Sequence, residues 1–127
     1  MVKVPLLMAP FGATCVLAFG VSESPLAQPR NIIGGHLLST FIGLVCLQLF
    51  GQHWWVMAIA VATSIAGMQF TRTVHPPAGA DPLVVILSSS SWNFLLTPVL
   101  LGSIALVLCA VLFNNLISDR SYPKYWL

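Results

Sequence analysis

Long apolar runs alternate with short polar breaks along this chain, and the breaks predict five helical segments: Val4 to Gly20, Ile32 to Phe50, His53 to Thr71, Pro82 to Ser91 and Asn93 to Phe113. The second, third and fifth approach the roughly 20 residues that a helix needs to span a bilayer. The first and fourth are shorter and open close to Pro or Gly. Only Gly51 and Gln52 separate the second run from the third, which forces an antiparallel hairpin. Trp54 and Trp55 place the tip of that hairpin at an interface, where an amphipathic ring sits well at headgroup level. Within the third run Ala58, Ala62 and Ala66 share one helical stripe, with Ala60 and Ser64 beside it. Small residues at this spacing let helices approach closely in lipid, so the stripe is expected to pack against a neighbour.

Composition narrows the class. With 57% hydrophobic and 6% charged residues in 127, the chain is too apolar to hide its side chains in one small soluble core. The expected fold is all-α: a polytopic transmembrane bundle forming a single membrane domain over 1–127, with two short interrupted or re-entrant helices. The net charge of +2 comes from scattered residues near the edges of the apolar runs, and no basic cluster points to nucleic acid. Cys15, Cys46 and Cys109 stand singly within apolar segments and are read as small buried hydrophobes, not as a disulfide or metal set. Val4 to Gly20 lacks a basic start and a cleavage pattern and is read as a retained segment.

The main polar interruption is His75, Pro76, Pro77, Ala78, Gly79, Ala80, Asp81 and Pro82. Two adjacent prolines and a glycine forbid an unbroken helix there. Broken backbone at membrane depth persists only where it is packed in protein or lines a wet cavity, because each unpaired amide facing hydrocarbon costs several kcal/mol. Asp81 followed by Pro82 reads as a helix start, with the carboxylate capping free amides. Aligned on itself, the chain brings Pro10, Gly12, Ala13 and Gly35 opposite Pro77, Gly79, Ala80 and Gly102, with Thr14 opposite Asp81. This pattern suggests an internal repeat with halves 4–50 and 53–113, and Thr14 as the matching cap. Each short helix would then begin inside the membrane and aim its amides and the positive end of its dipole at a shared centre, where an anion could sit. His75 and Arg72 precede this opening, and Arg30 and His36 hold comparable places at the second run. His36 is read either as a neutral imidazole bonded to a carbonyl or as part of a pathway. Arg30 and Arg72 are read as interfacial anchors. Asp81 cuts both ways: ionised it opposes an anion, whereas protonated it could carry a coupling proton or serve a cation.

Charge also bears on topology. If all five segments cross, Arg30, Arg72, Arg120 and Lys124 share one face and Lys3 lies opposite; if the fourth is re-entrant, Arg120 and Lys124 fall across from Arg72. The first arrangement obeys the positive-inside tendency and puts the C-terminus in the cytoplasm, but the fourth segment must borrow length from Ala78 to Asp81.

The run Met68 to Thr73 followed by His75-Pro76-Pro77-Ala78-Gly79-Ala80 resembles the HPP family of integral membrane proteins. So do Ala9-Pro10-Phe11-Gly12-Ala13, Ser24 to Asn31, Gly34-Gly35-His36 and Leu112-Phe113-Asn114-Asn115, which together cover nearly the whole chain. The resemblance implies four membrane helices and, from the plant and cyanobacterial members, nitrite transport. It makes His75, Pro76, Pro77, Gly79, Pro29, Arg30, Gly35 and His36 the motif positions. The chain begins later than typical members, as if lacking their first helix, and Asp81 stands where many carry a small or hydroxyl residue.

The expected function is a permease or channel for a small inorganic anion, nitrite first, in a bacterial inner membrane. Its expected site comprises Gly12, Ala13, Thr14, Arg30, His36, Arg72, His75, Pro76, Pro77, Gly79, Ala80 and Asp81, with no cofactor and no metal. The lipid bilayer and the small anion are the expected partners, and a homo-oligomer is expected because so few helices rarely enclose a pathway. One alternative is a proton-coupled or cation permease using Asp81; another is a non-transporting membrane subunit. No catalytic spacing of carboxylates, zinc ligands or nucleophile elbow supports an enzyme.

Overall fold

The computed structural model describes residues 7–126; Lys3 and the first residues of the Val4 to Gly20 run lie outside them. Among the described residues five helical stretches of ten residues or more follow one another: α1 (Ala9–Gly20), α2 (Pro29–Phe50), α3 (Trp54–Thr71), α4 (Pro76–Leu87) and α5 (Leu95–Ile117), with a short 3-10 turn at Pro25–Ala27 between the first two. Helices α2, α3 and α5 are long and apolar enough to cross a membrane. No strand occurs among the described residues.

The burial pattern is inverted relative to a protein packed in water. Phe70, Trp54, Leu116 and Ile117 are exposed at 75% or more. Gln28, His36, Ser39, Thr40, Ser64 and Asn114, by contrast, are fully buried. Lipid replaces water as the solvent of the apolar side chains, and polar groups turn inward to find one another. The protein is an integral membrane protein.

Prolines start α2 and α4, where their missing amide costs nothing. Gly51 closes the α2–α3 hairpin with φ 78°, a conformation that suits glycine. Helix α5 is bent at Thr97, whose φ and ψ of −136° and 116° are not helical, ahead of Pro98. Helix α4 opens as a tight 3-10 turn over Pro76–Ala80 and continues as an α-helix from Asp81. The segment leading into and through α4 touches both ends of the α2–α3 hairpin. Asn31 Nδ2 donates to the Val74 carbonyl at one end, and Gln52 Nε2 donates to the carbonyls of Ile86 and Leu87 at the other. The fourth segment therefore does not turn back. It borrows Thr73 to Ala80 for the length its apolar residues lack and so runs beside the hairpin from one end to the other.

Close backbone approach makes this possible. A Cβ on Gly35 would lie 2.8 Å from His75 Cβ and 3.0 Å from the Thr73 carbonyl oxygen, and one on Gly43 would lie 2.9 Å from Pro82 Cα. The stripe that packs on α3 is Val56, Ala60, Ser64 and Met68. Ala58, Ala62 and Ala66 face outward instead, a correction to the sequence expectation. Two small-residue rows lie side by side on α3, and composition does not say which one meets α2. Cys46 is buried as expected, but Cys15 is half-buried and Cys109 lies exposed on α5. Ser88 Oγ donates to the Val84 carbonyl and lies 2.6 Å from Ser90 Oγ, at the end of α4.

The C-terminal tail returns over the loop between α1 and α2. The Tyr122 hydroxyl donates to the Ala27 carbonyl at 2.8 Å, Lys124 N donates to Gln28 Oε1, and Asn115 Nδ2 holds the Tyr122 carbonyl. Gln28 Nε2 ties the same loop to the carbonyls of Ser22 and Ser24. Burial pushes the Tyr122 phenol up to about 12 from 10.0.

Gly43→Ala forces the Pro82 backbone to shift and is expected to destabilise the protein by about 1–3 kcal/mol. Gly12→Ala, with nothing within 4 Å of the new Cβ, is expected to be neutral by comparison; thermal unfolding in detergent compares the two. Because the Tyr122 phenol is raised in the fold, its contribution holds below the unfolded value of 10.0 and fades as pH rises through about 12. Proteolysis of the tail followed across alkaline pH is expected to show this loosening, and Tyr122→Phe to remove its pH dependence.

Candidate functional site

Helices α1, α2 and the start of α4 meet at one buried polar chain. Thr14 Oγ1 lies 2.8 Å from His36 Nε2 and 2.8 Å from His75 Nε2. His36 Nδ1 lies 2.8 Å from Asp81 Oδ2, to which Thr40 Oγ1 also donates at 3.2 Å. His75 Nδ1 donates to the Leu26 carbonyl at 2.7 Å. Thr14, His36, Thr40, His75 and Asp81 are all fully buried.

Each member is positioned by local sequence. Residues three and four apart share a helix face, so His36, Ser39 and Thr40 present one polar face of α2 toward α4. Ser39 Oγ donates to the Ala78 carbonyl at 2.6 Å and so pins the 3-10 turn that the two prolines and Gly79 permit. That turn swings Asp81 onto His36. The Phe11 ring meets His36 edge-on at 5.1 Å between centroids, and the two imidazoles lie 5.0 Å apart at 69°.

Of the residues expected at the site, the fold brings together Thr14, His36, His75 and Asp81. Pro76, Pro77, Gly79 and Ala80 build the turn between them. Gly12 and Ala13 face outward on α1; Ala13 lines an apolar groove of about 460 Å³ together with Val16, Leu17, Pro76 and Pro77. Arg30 donates to the Thr71 carbonyl at the rim of the bundle, and Arg72 caps α3 from the surface in a left-handed conformation, so neither reaches the chain. Neither Thr14 nor Asp81 acts as a helix cap. Helix α1 already starts at Ala9, with the Thr14 hydroxyl 3.3 Å from the Pro10 carbonyl one turn back. The helical turns of α4 already start at Pro76, and the Asp81 carboxylate turns across to α2. Thr14 thus meets both imidazoles and Asp81 meets His36, so these side chains bond to one another and not to free helix amides.

Sequence reasoning missed Ser39, Thr40 and the Leu26 carbonyl. The first two could have been found from their helical spacing to His36. A backbone carbonyl carries no sequence signal. A separate polar cavity of about 130 Å³, lined by Ser22, Glu23, Arg120, Ser121 and Lys124, opens beside the loop that holds Leu26.

Fold and site together define a polytopic membrane protein in which His36, His75 and Asp81 are gathered into one buried hydrogen-bonded chain. A family model described as HPP, transmembrane region, matches residues 1–123, and the chain belongs to the HPP family. Two proteins of Dictyostelium discoideum described as transmembrane proteins are similar to it. One is 41% identical over 98% of this chain and 46% of its own length, and the other is 38% identical over 94% and 41%. The chain thus spans less than half the length of these relatives. No solved structure matches.

His36→Leu leaves Thr14 only its bond to His75 and Asp81 only its bond from Thr40, and is expected to destabilise the protein by about 1–3 kcal/mol. His53→Ala, at the exposed hairpin tip, is expected to leave stability unchanged; denaturation in detergent monitored by circular dichroism checks the contrast.

Proposed function

We propose that the protein is a membrane permease, not an enzyme, that moves a small inorganic anion together with a proton, with nitrite the first solute to test. The observation that supports this reading is the complete burial of His36, His75 and Asp81 in apolar helices, linked through Thr14. Ionisable groups inside a membrane are costly and persist chiefly where a pathway or a proton step uses them.

The carboxyl of Asp81 at the inner end of the chain favours a proton there over direct contact with an anion. The anion is drawn instead to the basic end of the bundle. Arg30 bonds the end of α3 there, and Arg120 Nη1 donates to the Phe19 carbonyl. Arg72 and Lys124 lie at the same end. Clustered positive potential raises the local concentration of an anion, and by the positive-inside tendency this end faces the cytoplasm. Subunits associate to complete the pathway, since a bundle this small does not enclose one.

Uptake of nitrite, nitrate and protons into proteoliposomes tests the proposal. Saturable nitrite entry is expected, accelerated by an inward proton gradient, abolished in His75→Ala and retained in His53→Ala. Proton-driven uptake that ignores nitrite and is lost in Asp81→Asn would point to a proton or cation permease. Absence of flux with every solute would mean a non-transporting subunit.

A further inference from the structure

Deepening the proton-linked reading above, we infer that Thr14, His36, His75 and Asp81 hold one proton beyond those of two neutral imidazoles and an ionised carboxyl, and that the Thr14 hydroxyl passes it between the Asp81 end and the His75 end. Donors and acceptors along the chain fix this proton. Leu26 offers His75 Nδ1 only a carbonyl, so that nitrogen carries a hydrogen. A neutral His75 then presents a bare Nε2 to Thr14 and accepts the hydroxyl hydrogen. Thr14 has no second hydrogen to give, so its oxygen accepts from His36, and His36 carries its hydrogen on Nε2. His36 Nδ1 now faces Asp81 Oδ2 at 2.8 Å. Two lone pairs at that distance repel, so a proton lies between them, as the acid of Asp81 or the imidazolium of His36.

Ionised Asp81 beside two neutral rings satisfies no arrangement of hydrogens. Either Thr14 faces two bare Nε2 atoms with one hydrogen, or His36 Nδ1 faces a carboxylate with nothing between them. The second oxygen of Asp81, Oδ1, has no partner among the described residues, which further penalises the carboxylate over the acid. Other neighbours add no charge: Thr40 brings a hydroxyl, Phe11 a ring edge and Pro10 a carbonyl.

The proton can move without losing a contact. Asp81 gives its proton to His36 Nδ1, His36 passes its Nε2 hydrogen to the Thr14 oxygen, and Thr14 passes its own to His75 Nε2. Each bond to hydrogen that breaks is matched by one that forms, and the number of protons is unchanged. The carboxyl ends as a carboxylate and His75 as an imidazolium. Every hydrogen bond of the chain survives with its direction reversed, from the Asp81–His36 bond through to the Thr14–His75 bond. The His75 Nδ1 bond to Leu26 and the Thr40 bond to Asp81 keep their sense.

Infrared and nitrogen NMR spectra of the whole chain in lipid vesicles at neutral pH test this without a transport measurement. The expected result is one carboxylic-acid band that Asp81→Asn removes, or one imidazolium at His36 or His75. Thr14→Val is expected to abolish that proton although Asp81 is intact. His36 then has no acceptor for an Nε2 hydrogen and turns its single hydrogen to an ionised Asp81. Thr14→Ser is expected to keep the proton. An ionised Asp81 beside two neutral rings in the unsubstituted protein overturns the inference, and so does a proton signal that survives Thr14→Val. Should Thr14→Val fail to fold, the unsubstituted and Asp81→Asn spectra still decide the count. An intact proton signal without solute uptake rejects the permease reading and leaves the relay standing; uptake without the signal rejects the relay.

Discussion

Hydrocarbon offers a polar side chain no partner, and the interior of this bundle is arranged around that constraint. The bonds from the Leu26 carbonyl through His75, Thr14 and His36 to Asp81 join a surface loop and three helices into one chain of contacts. Removing any one member takes a buried partner from each of its neighbours, a penalty larger than the net gain of an ordinary hydrogen bond. The same logic extends outward. Gln28 and Asn31 satisfy loop carbonyls at the end of the bundle that carries Arg30, and Asn114 Nδ2 donates to the carbonyls of Ala18 and Ala110 between α5 and α1. These amides work as structural fasteners, while the imidazoles and the carboxyl are the groups able to change charge.

The break before α4 is what lets the chain close. A continuous helix through residues 75–82 would carry three prolines without amides and would clash with the preceding turn. The 3-10 turn instead lets the backbone carry His75 toward α1 and Asp81 toward α2. Gly35 and Gly43 on α2 accept this backbone at distances that no side chain would allow. The helix-breaking residues and the glycines opposite them are therefore two halves of one packing solution, and the buried chain is its product.

Much of this was legible in the sequence. Long apolar runs bounded by Gly, Pro and Trp gave α2, α3 and α5 to within a few residues, and the rarity of charged residues marked His36, His75 and Asp81 for attention. The short helices were harder. A run of about ten apolar residues reads as re-entrant by length alone, and only the observed contacts at both ends of the hairpin show that Thr73 to Ala80 completes the passage. Thr14 and Asp81 resemble helix caps because hydroxyl and carboxylate groups beside helix-breaking residues usually serve backbone amides. Here each finds a histidine on another helix, a partner that no local pattern reveals. Arg30 and Arg72 drew notice as charges beside the motif, yet both lie at the rim, where a long side chain keeps its head in water.

The most direct measurement of the account is magnetisation transfer between imidazole rings in histidine-labelled protein held in lipid bilayers. Rings whose centroids lie 5.0 Å apart should give a strong cross-peak between His36 and His75, with His53 showing no contact to either. Absence of that cross-peak would contradict the closed chain and the proton step built on it.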